Sequence, residues 1–117
     1  MAYDLFENLG FIDTEVTWIQ TRRDNVEVTF SESGEARFQL RFFGVVFLQH
    51  FSFRRVDDWI VSDDSREIQI ARDFLTRDDQ PELQEANKSL HQLTLLDDRN
   101  LPMMQIVFRD CRLVAGG

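Results

Sequence analysis

The stretch of residues 36–55 constrains the fold most, because it holds six of the eleven phenylalanines of a 117-residue chain. Its first half alternates apolar and polar residues up to Phe42, which is the period of a strand with one buried face. After Gly44, residues 45–48 are apolar on both sides, as in a central strand, and the alternation resumes at Phe51. The pattern predicts two long strands that meet at Gly44 and whose aromatic faces form the centre of one core.

The segments before this stretch carry the same two-residue period. Residues 14–22 are rich in β-branched and aromatic side chains, with Val16 and Trp18 expected on one face, and residues 25–31 alternate cleanly. Short runs of turn-forming residues follow each of these segments. Because parallel pairing needs a crossover of a dozen or more residues, such short connections predict three antiparallel strands in sequence order.

The second half of the chain shows a mixed pattern. Residues 66–72 fit a strand by their alternation and a helix by the spacing of their apolar residues, and we favour the strand. Pro81 and the acids around it predict a helix start, so we expect a short helix over residues 82–91. A strand should begin at residues 94–96, and after a turn another strand over residues 103–114 should close the chain.

Together these segments predict a mainly β fold in a single domain that spans residues 1–117. We expect an antiparallel sandwich or a strongly curved roll of about six to seven strands, with one short helix late in the chain. A closed barrel is the alternative. The exposed edges of such sheets also predict a homodimer through edge pairing as one arrangement of the protein.

The charge balance favours a protein partner over nucleic acid. Thirteen basic residues stand against 21 acidic ones, and the net charge of −8 disfavours contact with a phosphate backbone. The acid excess either keeps the protein in solution or forms an acidic face that captures a basic partner. The first residues carry acids where a secretory signal needs bases, and the longest apolar run, residues 42–48, is too short to span a membrane. We therefore expect a cytoplasmic protein without membrane contact.

Few residues of the chain are suited to catalysis. The two histidines, His50 and His91, lie in no motif for nucleophilic or acid–base chemistry, and we expect a structural or surface role for both. Cys111 lies in a strand-like pattern next to Asp110, which favours a buried, unreactive thiol. No glycine-rich phosphate loop occurs. The sequence therefore predicts no enzyme, no catalytic residue and no cofactor.

Pairs of adjacent aspartates recur along the chain, at positions 57/58, 63/64, 78/79 and 97/98. None of them extends into a calcium-binding loop of the EF-hand type, and adjacent carboxylates on a strand point to opposite faces. No pair of cysteines or histidines has the spacing of a zinc site. We therefore expect no metal site, with a weak calcium or magnesium site in the loop of residues 57–64 as the alternative.

The most suggestive segment for binding is residues 57–64, a short apolar run between two pairs of acids that we expect to form an edge strand. A tryptophan framed by carboxylates is typical of a binding hot spot for a basic partner. The predicted partner-binding residues are Asp57, Asp58, Trp59, Asp63 and Asp64. In the competing interpretation, Trp59 and Ile60 fold inward and the acids only keep the loop in water.

Three segments carry a likeness to known proteins. Residues 11–16 read FIDTEV, residues 40–45 read LRFFGV, and residues 108–111 read FRDC. In this layout the chain resembles small, acidic, mostly β bacterial immunity proteins of polymorphic toxin systems. The resemblance implies a protein that binds and neutralises a cognate toxin by occlusion, without chemistry of its own. The acid excess suits a basic toxin such as a nuclease.

Other functions stay open at this point, including that of a bacterial domain with a different role. A sheet fold rich in phenylalanine can enclose an apolar ligand. A roomy cavity lined by Phe38, Phe42, Phe47 and Phe51 would favour that function. An enzyme would need His50 or His91 beside an acid with a perturbed pKa in a cleft.

Overall fold

The computed structural model describes residues 2–51, 54–76 and 90–116 of the chain. Within these ranges the backbone forms eight strands, and both of the helices described there are short. In chain order the elements are α1 (Ala2–Glu7), β1 (Glu15–Arg22), β2 (Asn25–Glu32), β3 (Glu35–Phe43), β4 (Phe47–His50), β5 (Asp58–Ser62), α2 (Arg66–Thr76), β6 (His91–Leu96), β7 (Pro102–Phe108) and β8 (Asp110–Gly116).

The strands form two antiparallel four-stranded sheets. The first sheet has the strand order β1-β2-β3-β8, and the second sheet has the order β4-β7-β6-β5. Apolar side chains of both sheets share one core, so the prediction of a mainly β, antiparallel, sandwich-like fold is confirmed. The described strands are eight rather than about six to seven, because the expected closing strand is divided between the two sheets.

The first three strands follow one another in the sheet, as their short connections predict. Val28 lies opposite Ile19 on one side and Leu40 on the other, and all three side chains contribute to the core. Both turns use the left-handed backbone conformation, with a φ of 57° at Arg23 and 82° at Gly34. Such values suit tight hairpin turns, so three strands need few connecting residues.

An irregularity in β1 overturns the predicted orientation of its tryptophan. Val16 lies opposite Phe30, but the next paired residue is Trp18 opposite Thr29, so Thr17 is an extra residue in the strand. This β-bulge changes which residues face the core, since Val16 is buried whereas Trp18 is 58% exposed. The expectation that Val16 and Trp18 share a face is therefore wrong.

Two of the described connections pass between the sheets, β3 to β4 and β7 to β8, and they lie next to each other. The chain leaves the first sheet at Gly44 and returns to it at Arg109. The amide of Val46 donates to the carbonyl of Val107 (3.0 Å), and the amide of Arg109 donates to the carbonyl of Phe43 (2.9 Å). Gly44 has a φ of +62°, and a β-carbon there would lie 2.6 Å from Cδ of Arg109. This crossing therefore requires glycine, both for its backbone conformation and for the close approach.

Two strand predictions near these crossings are wrong. The expected closing strand over residues 103–114 is interrupted at Arg109, because β7 belongs to the second sheet and β8 to the first. The strand after Gly44 is not central, since β4 lies at an edge and pairs only with β7 among the described elements. Its outer side is apolar because Val46 and Phe47 pack against a small cluster that includes α2.

Residues 66–72 belong to helix α2, so the predicted strand is wrong there. Ser65 caps the start of the helix, where its Oγ accepts a hydrogen bond from the amide of Ile68 (3.1 Å). Ile68 and Ala71 are buried in one cluster with Val107 of the second sheet. The segment forms a helix because a helix places its apolar residues on one face, and that face buries apolar residues on the outer side of the second sheet.

The helix predicted over residues 82–91 falls largely outside the described residues, which resume at position 90. At its end the prediction is wrong, because His91 is the first residue of β6. Leu90 is buried in the same small cluster as α2. Beyond β6 the chain turns as predicted, with the amide of Asn100 donating to the carbonyl of Asp97 (3.0 Å), and then enters β7.

The core between the sheets is built largely from aromatic rings. The Phe6 ring of α1 lies 5.8 Å from the Phe11 ring and 6.1 Å from the Phe108 ring, so the first helix belongs to this core. Phe42 meets Phe108 edge-on at 4.9 Å. Such pairs add roughly 0.5–1.5 kcal/mol each beyond the burial of their area. The predicted aromatic core is therefore confirmed at Phe42, whereas Phe51 is 55% exposed.

Candidate partner-binding edge

β5 is an edge strand of the second sheet, as the sequence predicts. Among the described residues it pairs only with β6. Its side chains alternate, so that Trp59 and Val61 pack against the core whereas Asp58 and Ile60 face outward. The Trp59 ring lies 5.7 Å from the Phe11 ring, while Ile60 is 51% exposed. The apolar side chain that this edge presents to a partner is therefore Ile60.

Four exposed carboxylates flank this strand, and we call them the acidic edge. They belong to Asp57, Asp58, Asp63 and Asp64. Residues 56–73 contain six acidic and two basic residues, so this segment carries half of the net charge of −8. Exposed charges act over roughly the Debye length, about 10 Å at 0.1 M salt. The clustering of carboxylates therefore attracts a basic partner before contact is made.

The carboxylates of Asp58 and Asp64 are oriented by uncharged donors. Oδ1 of Asp58 accepts a hydrogen bond from the amide of Trp59 (2.8 Å). Oδ1 of Asp64 accepts one from Oγ of Ser62 (3.2 Å). Because neither donor is a cation, these bonds fix the two side chains and leave the carboxylate charge available to a partner.

Asp63 is engaged differently, by a histidine. Its Oδ1 lies 2.7 Å from Nδ1 of His91 at the start of β6. A histidine–acid pair serves nucleophilic catalysis when a nucleophile stands at the other imidazole nitrogen. The hydroxyls that flank Asp63 in the sequence bond elsewhere, since Ser62 donates within its own loop and Ser65 donates to Gln92. The Asp63–His91 contact links the loop between β5 and α2 to the start of β6.

The remaining candidates for chemistry lie apart from this edge. His50 ends β4, half-buried and opposite Met104. Cys111 is buried opposite Phe42, where burial and the nearby charge of Asp110 raise the pKa of its thiol. A thiol with a raised pKa stays protonated and is a poor nucleophile, which agrees with the expectation of a buried, unreactive cysteine.

The phenylalanines that could have lined a ligand cavity do not converge. Phe38 and Phe42 lie in the core between the sheets. Phe47 packs against the cluster that includes α2, on the outer side of the second sheet, and Phe51 is exposed. The lining that would favour an apolar ligand is therefore not formed by these four side chains.

A weak cation site in the loop of residues 57–64 was the alternative role for its aspartates. Calcium takes roughly six to eight oxygen ligands that converge on one point. In the part of the chain that the structure describes, no three His, Cys, Asp or Glu side chains are arranged to hold a metal ion.

The structure brings together four of the five predicted partner-binding residues and turns the fifth away. The aspartates flank one exposed strand, whereas the Trp59 ring supports that strand from inside. Ile60 is missing from the predicted set, although the alternation contains the signal. Because the carboxylate of Asp58 takes the outer face, Trp59 must face inward and Ile60 outward. A direct role of Trp59 in binding stays a prediction.

Comparison with known proteins identifies no relative. No protein-family model, no curated protein and no solved structure matches the chain. Within the described ranges, no helix is long and apolar enough to cross a membrane.

Proposed function

We propose that this protein is a non-catalytic binding domain that captures a basic protein partner through β5 and the acidic edge. The observation that carries the proposal is a strand edge that no other described strand pairs, with exposed carboxylates at both ends and an exposed Ile60 at its centre. Asp57 and Asp58 stand at one end, and Asp63 and Asp64 at the other. This arrangement offers long-range attraction and local contacts on the same strand.

The backbone of β5 is suited to a partner that adds a strand. An edge strand presents a row of amide and carbonyl groups with which an extended segment can pair. In an antiparallel pairing, basic side chains near the ends of the added strand meet the carboxylates of the acidic edge, and an apolar side chain at its centre meets Ile60. The backbone then supplies affinity, and the charge pattern supplies selectivity for a basic segment.

The charge of this edge acts mainly on the rate of encounter. Complementary charge raises association rate constants from roughly 10⁵–10⁶ M⁻¹s⁻¹ to as much as about 10⁸ M⁻¹s⁻¹ at low salt. Added salt screens exposed charges of this kind. We therefore expect an association rate that falls steeply with ionic strength and a dissociation rate that changes little.

Within this class, we propose an immunity protein that occludes a basic toxin, such as a nuclease, in the cytoplasm. The layout of residues 11–16, 40–45 and 108–111 and the net charge of −8 support this narrower function. Occlusion needs a complementary surface and no reactive group. The β5 edge of the second sheet is suited to that task because it combines charge with a side that no other described strand pairs.

The experiment compares two variants of equal net charge. The first variant replaces three members of the acidic edge by asparagine and keeps Asp63, which contacts His91. Its substitutions are Asp57→Asn, Asp58→Asn and Asp64→Asn. The control neutralises three exposed acids of the first sheet and its turns. Its substitutions are Asp24→Asn, Glu35→Gln and Asp110→Asn.

The binding probe is the basic protein that the wild type captures from the source cell, purified and compared with the products of the neighbouring genes. We expect the first variant to bind at least about tenfold more weakly at low salt, through slower association, and the control to change by less than about threefold. A toxin as the captured protein supports the immunity function. Equal weakening of both variants, or capture of no basic protein, would refute a site at the acidic edge.

A further inference from the structure

Among the described residues, the outer edge of β1 is unpaired over most of its length. At its start, Glu15 forms an isolated bridge with Arg55, so this part of the edge is occupied. From residue 17 to residue 22, no strand of the described chain lies on the outer side of β1. After the bulge, Trp18 to Arg22 pair regularly with β2, so this segment is straight enough to accept another strand.

We propose that a second copy of this chain pairs with this edge, β1 against β1, about a two-fold axis at Gln20. A two-fold axis that makes antiparallel strands runs perpendicular to the sheet, so outward residues must lie opposite outward residues. The axis therefore passes midway between the two copies of one residue, which lie directly opposite each other. An axis at Gln20 uses the whole regular segment, and Trp18 of each copy lies opposite Arg22 of the other.

The outer face of β1 carries a projection and a depression that fit this register. Trp18, Gln20 and Arg22 share the outward face, opposite Thr29, Glu27 and Asn25 of β2. Trp18 projects from this face with 58% of its surface exposed. Beside it lies a depression of about 370 Å³. The residues that line the depression are Gln20, Arg22, Asn25, Glu27 and Arg41.

The proposed pairing places each indole over the other copy's depression. Side chains directly opposite each other in an antiparallel pair lie about 4.5–5.5 Å apart at Cβ, and diagonal neighbours about 7–8 Å. Trp18 of one copy is then within reach of Arg22 and Gln20 of the other. Both sides of the contact are made by the same residues, as a two-fold interface requires.

Charge also favours an indole at this place. Glu27 is paired with Arg41 across the strands, so that part of the depression is neutral. Arg22 has no ion pair among the described residues, and its guanidinium carries a full charge. A tryptophan ring offers a cation the negative face of its π system, with Trp the best of the aromatic residues in this role. The occupant that this surface fits is therefore the Trp18 side chain of a second copy.

The size of the contact predicts a weak dimer. A regular segment of five residues and one ring on each side cover less than the roughly 800 Å² per partner of a stable interface. The bulge at Thr17 and the arginine at the other end limit the length of the pairing. The dimer pairs through β1 whereas the proposed function uses β5, so substitutions of Trp18 and of Ile60 test the two separately.

Sedimentation equilibrium on the full chain, from about 1 µM to about 500 µM, tests association in this weak range. We expect the mass of the wild type to rise toward that of a dimer. Trp18→Ala should weaken association at least about tenfold, because a buried tryptophan is typical of an interface hot spot. Ile60→Ala, on the edge strand of the other sheet, is the matched control and should leave association unchanged. A wild type that stays monomeric throughout, or a loss with Ile60→Ala alone, overturns the proposal.

A cysteine placed on the axis tests the register even if Trp18→Ala alters folding. Gln20 lies opposite itself, at a Cα separation of about 4.5–5.5 Å, which a disulfide can bridge. Thr21→Cys is the control, because a shift of one residue from the axis separates the two Cα atoms beyond the roughly 7 Å limit. We expect oxidised Gln20→Cys to form a covalent dimer and Thr21→Cys to remain monomeric. Cross-linking of Thr21→Cys instead would contradict the register.

Discussion

Two edge strands of this protein carry the same dipeptide in opposite orientations. In β1, Trp18 faces outward and Ile19 packs against the core, whereas in β5 Trp59 packs against the core and Ile60 faces outward. Both strands lie at the edge of a four-stranded antiparallel sheet. The composition of the dipeptide therefore does not decide which side chain is exposed. The face of the strand on which the tryptophan falls decides it.

The difference has a different cause in each strand. In β1, the extra residue Thr17 shifts the alternation after the buried Val16, so that Trp18 takes the outer face. In β5, the alternation is regular. Because Asp58 faces solvent, Trp59 faces the core and Ile60 faces solvent. As a result, one edge presents a ring and the other presents acids around an aliphatic side chain. Such edges are suited to different partners.

The largest expected difference between the two edges is in the loss of stability when each tryptophan is replaced by alanine. We expect Trp59→Ala to lower the free energy of unfolding by about 2–4 kcal/mol, because its ring packs on two core phenylalanines. Trp18→Ala should lower it by less than about 0.5 kcal/mol under monomeric conditions. Urea unfolding followed by circular dichroism measures both. Equal losses in the two variants would remove the distinction between the edges.

The crossing at Gly44 shows whether the edges belong to one cooperative unit. Gly44→Ala places a β-carbon against Arg109 and keeps a left-handed backbone, so we expect a loss of about 1–3 kcal/mol. In that background, Trp18→Phe leaves Trp59 as the fluorescent reporter of the second sheet, and Trp59→Phe leaves Trp18 as that of the first. We expect both reporters to give the same urea midpoint, because the crossings join the two sheets. Separate midpoints would show that each edge strand unfolds with its own sheet.

The smallest expected effect on stability at neutral pH belongs to a substitution in the turn after β6. Among the described strands, β6 is the one that pairs with β5. Asp97 is buried in this turn, and its carboxylate accepts hydrogen bonds from the guanidinium of Arg99 (2.8 Å) and from the amides of Arg99 (2.8 Å) and Leu101 (3.1 Å). Its bond with the Arg99 side chain holds the pKa of Asp97 below the ordinary value of 3.8, against the opposing effect of burial.

A lowered pKa makes this turn sensitive to acid. Since the folded state binds the proton more weakly than the unfolded state, the stabilisation is complete above the ordinary carboxylate pKa and is lost as pH falls through the lowered one. We expect Asp97→Asn, which removes the charge, to flatten the fall in the urea midpoint between about pH 5 and about pH 2. Parallel curves for variant and wild type would contradict this role of Asp97.

Much of the fold follows from the sequence because the alternation of side chains is strong. The meander of the first three strands, the aromatic core at Phe42 and the position of β5 at an edge are all predicted from the two-residue period and the turn residues. The period does not reveal which sheet a strand joins. For that reason the sequence predicts one continuous strand through Arg109, where the chain in fact crosses from one sheet to the other.

The sequence predictions are wrong where a contact between distant parts of the chain, or one extra residue in a strand, determines the local structure. Residues 66–72 alternate like a strand, but the cap at Ser65 and the apolar outer face of the second sheet favour a helix. The bulge at Thr17 has no distinct residue pattern, so the exposure of Trp18 is not predicted. At the candidate site, the aspartates are predicted correctly as exposed. The exposure of Ile60 follows from the alternation once Asp58 is placed outside.

The contact between Gly44 and Arg109 has a consequence for synthesis of the protein on the ribosome. β3 pairs with β8, so the first sheet lacks its fourth strand until residues 110–116 have left the exit tunnel. Until then, Arg109 cannot take its place beside Gly44. On the nascent chain the edge of β3 therefore stays unpaired until β8 has emerged, and an unpaired strand edge of this kind is one that chaperones can cover.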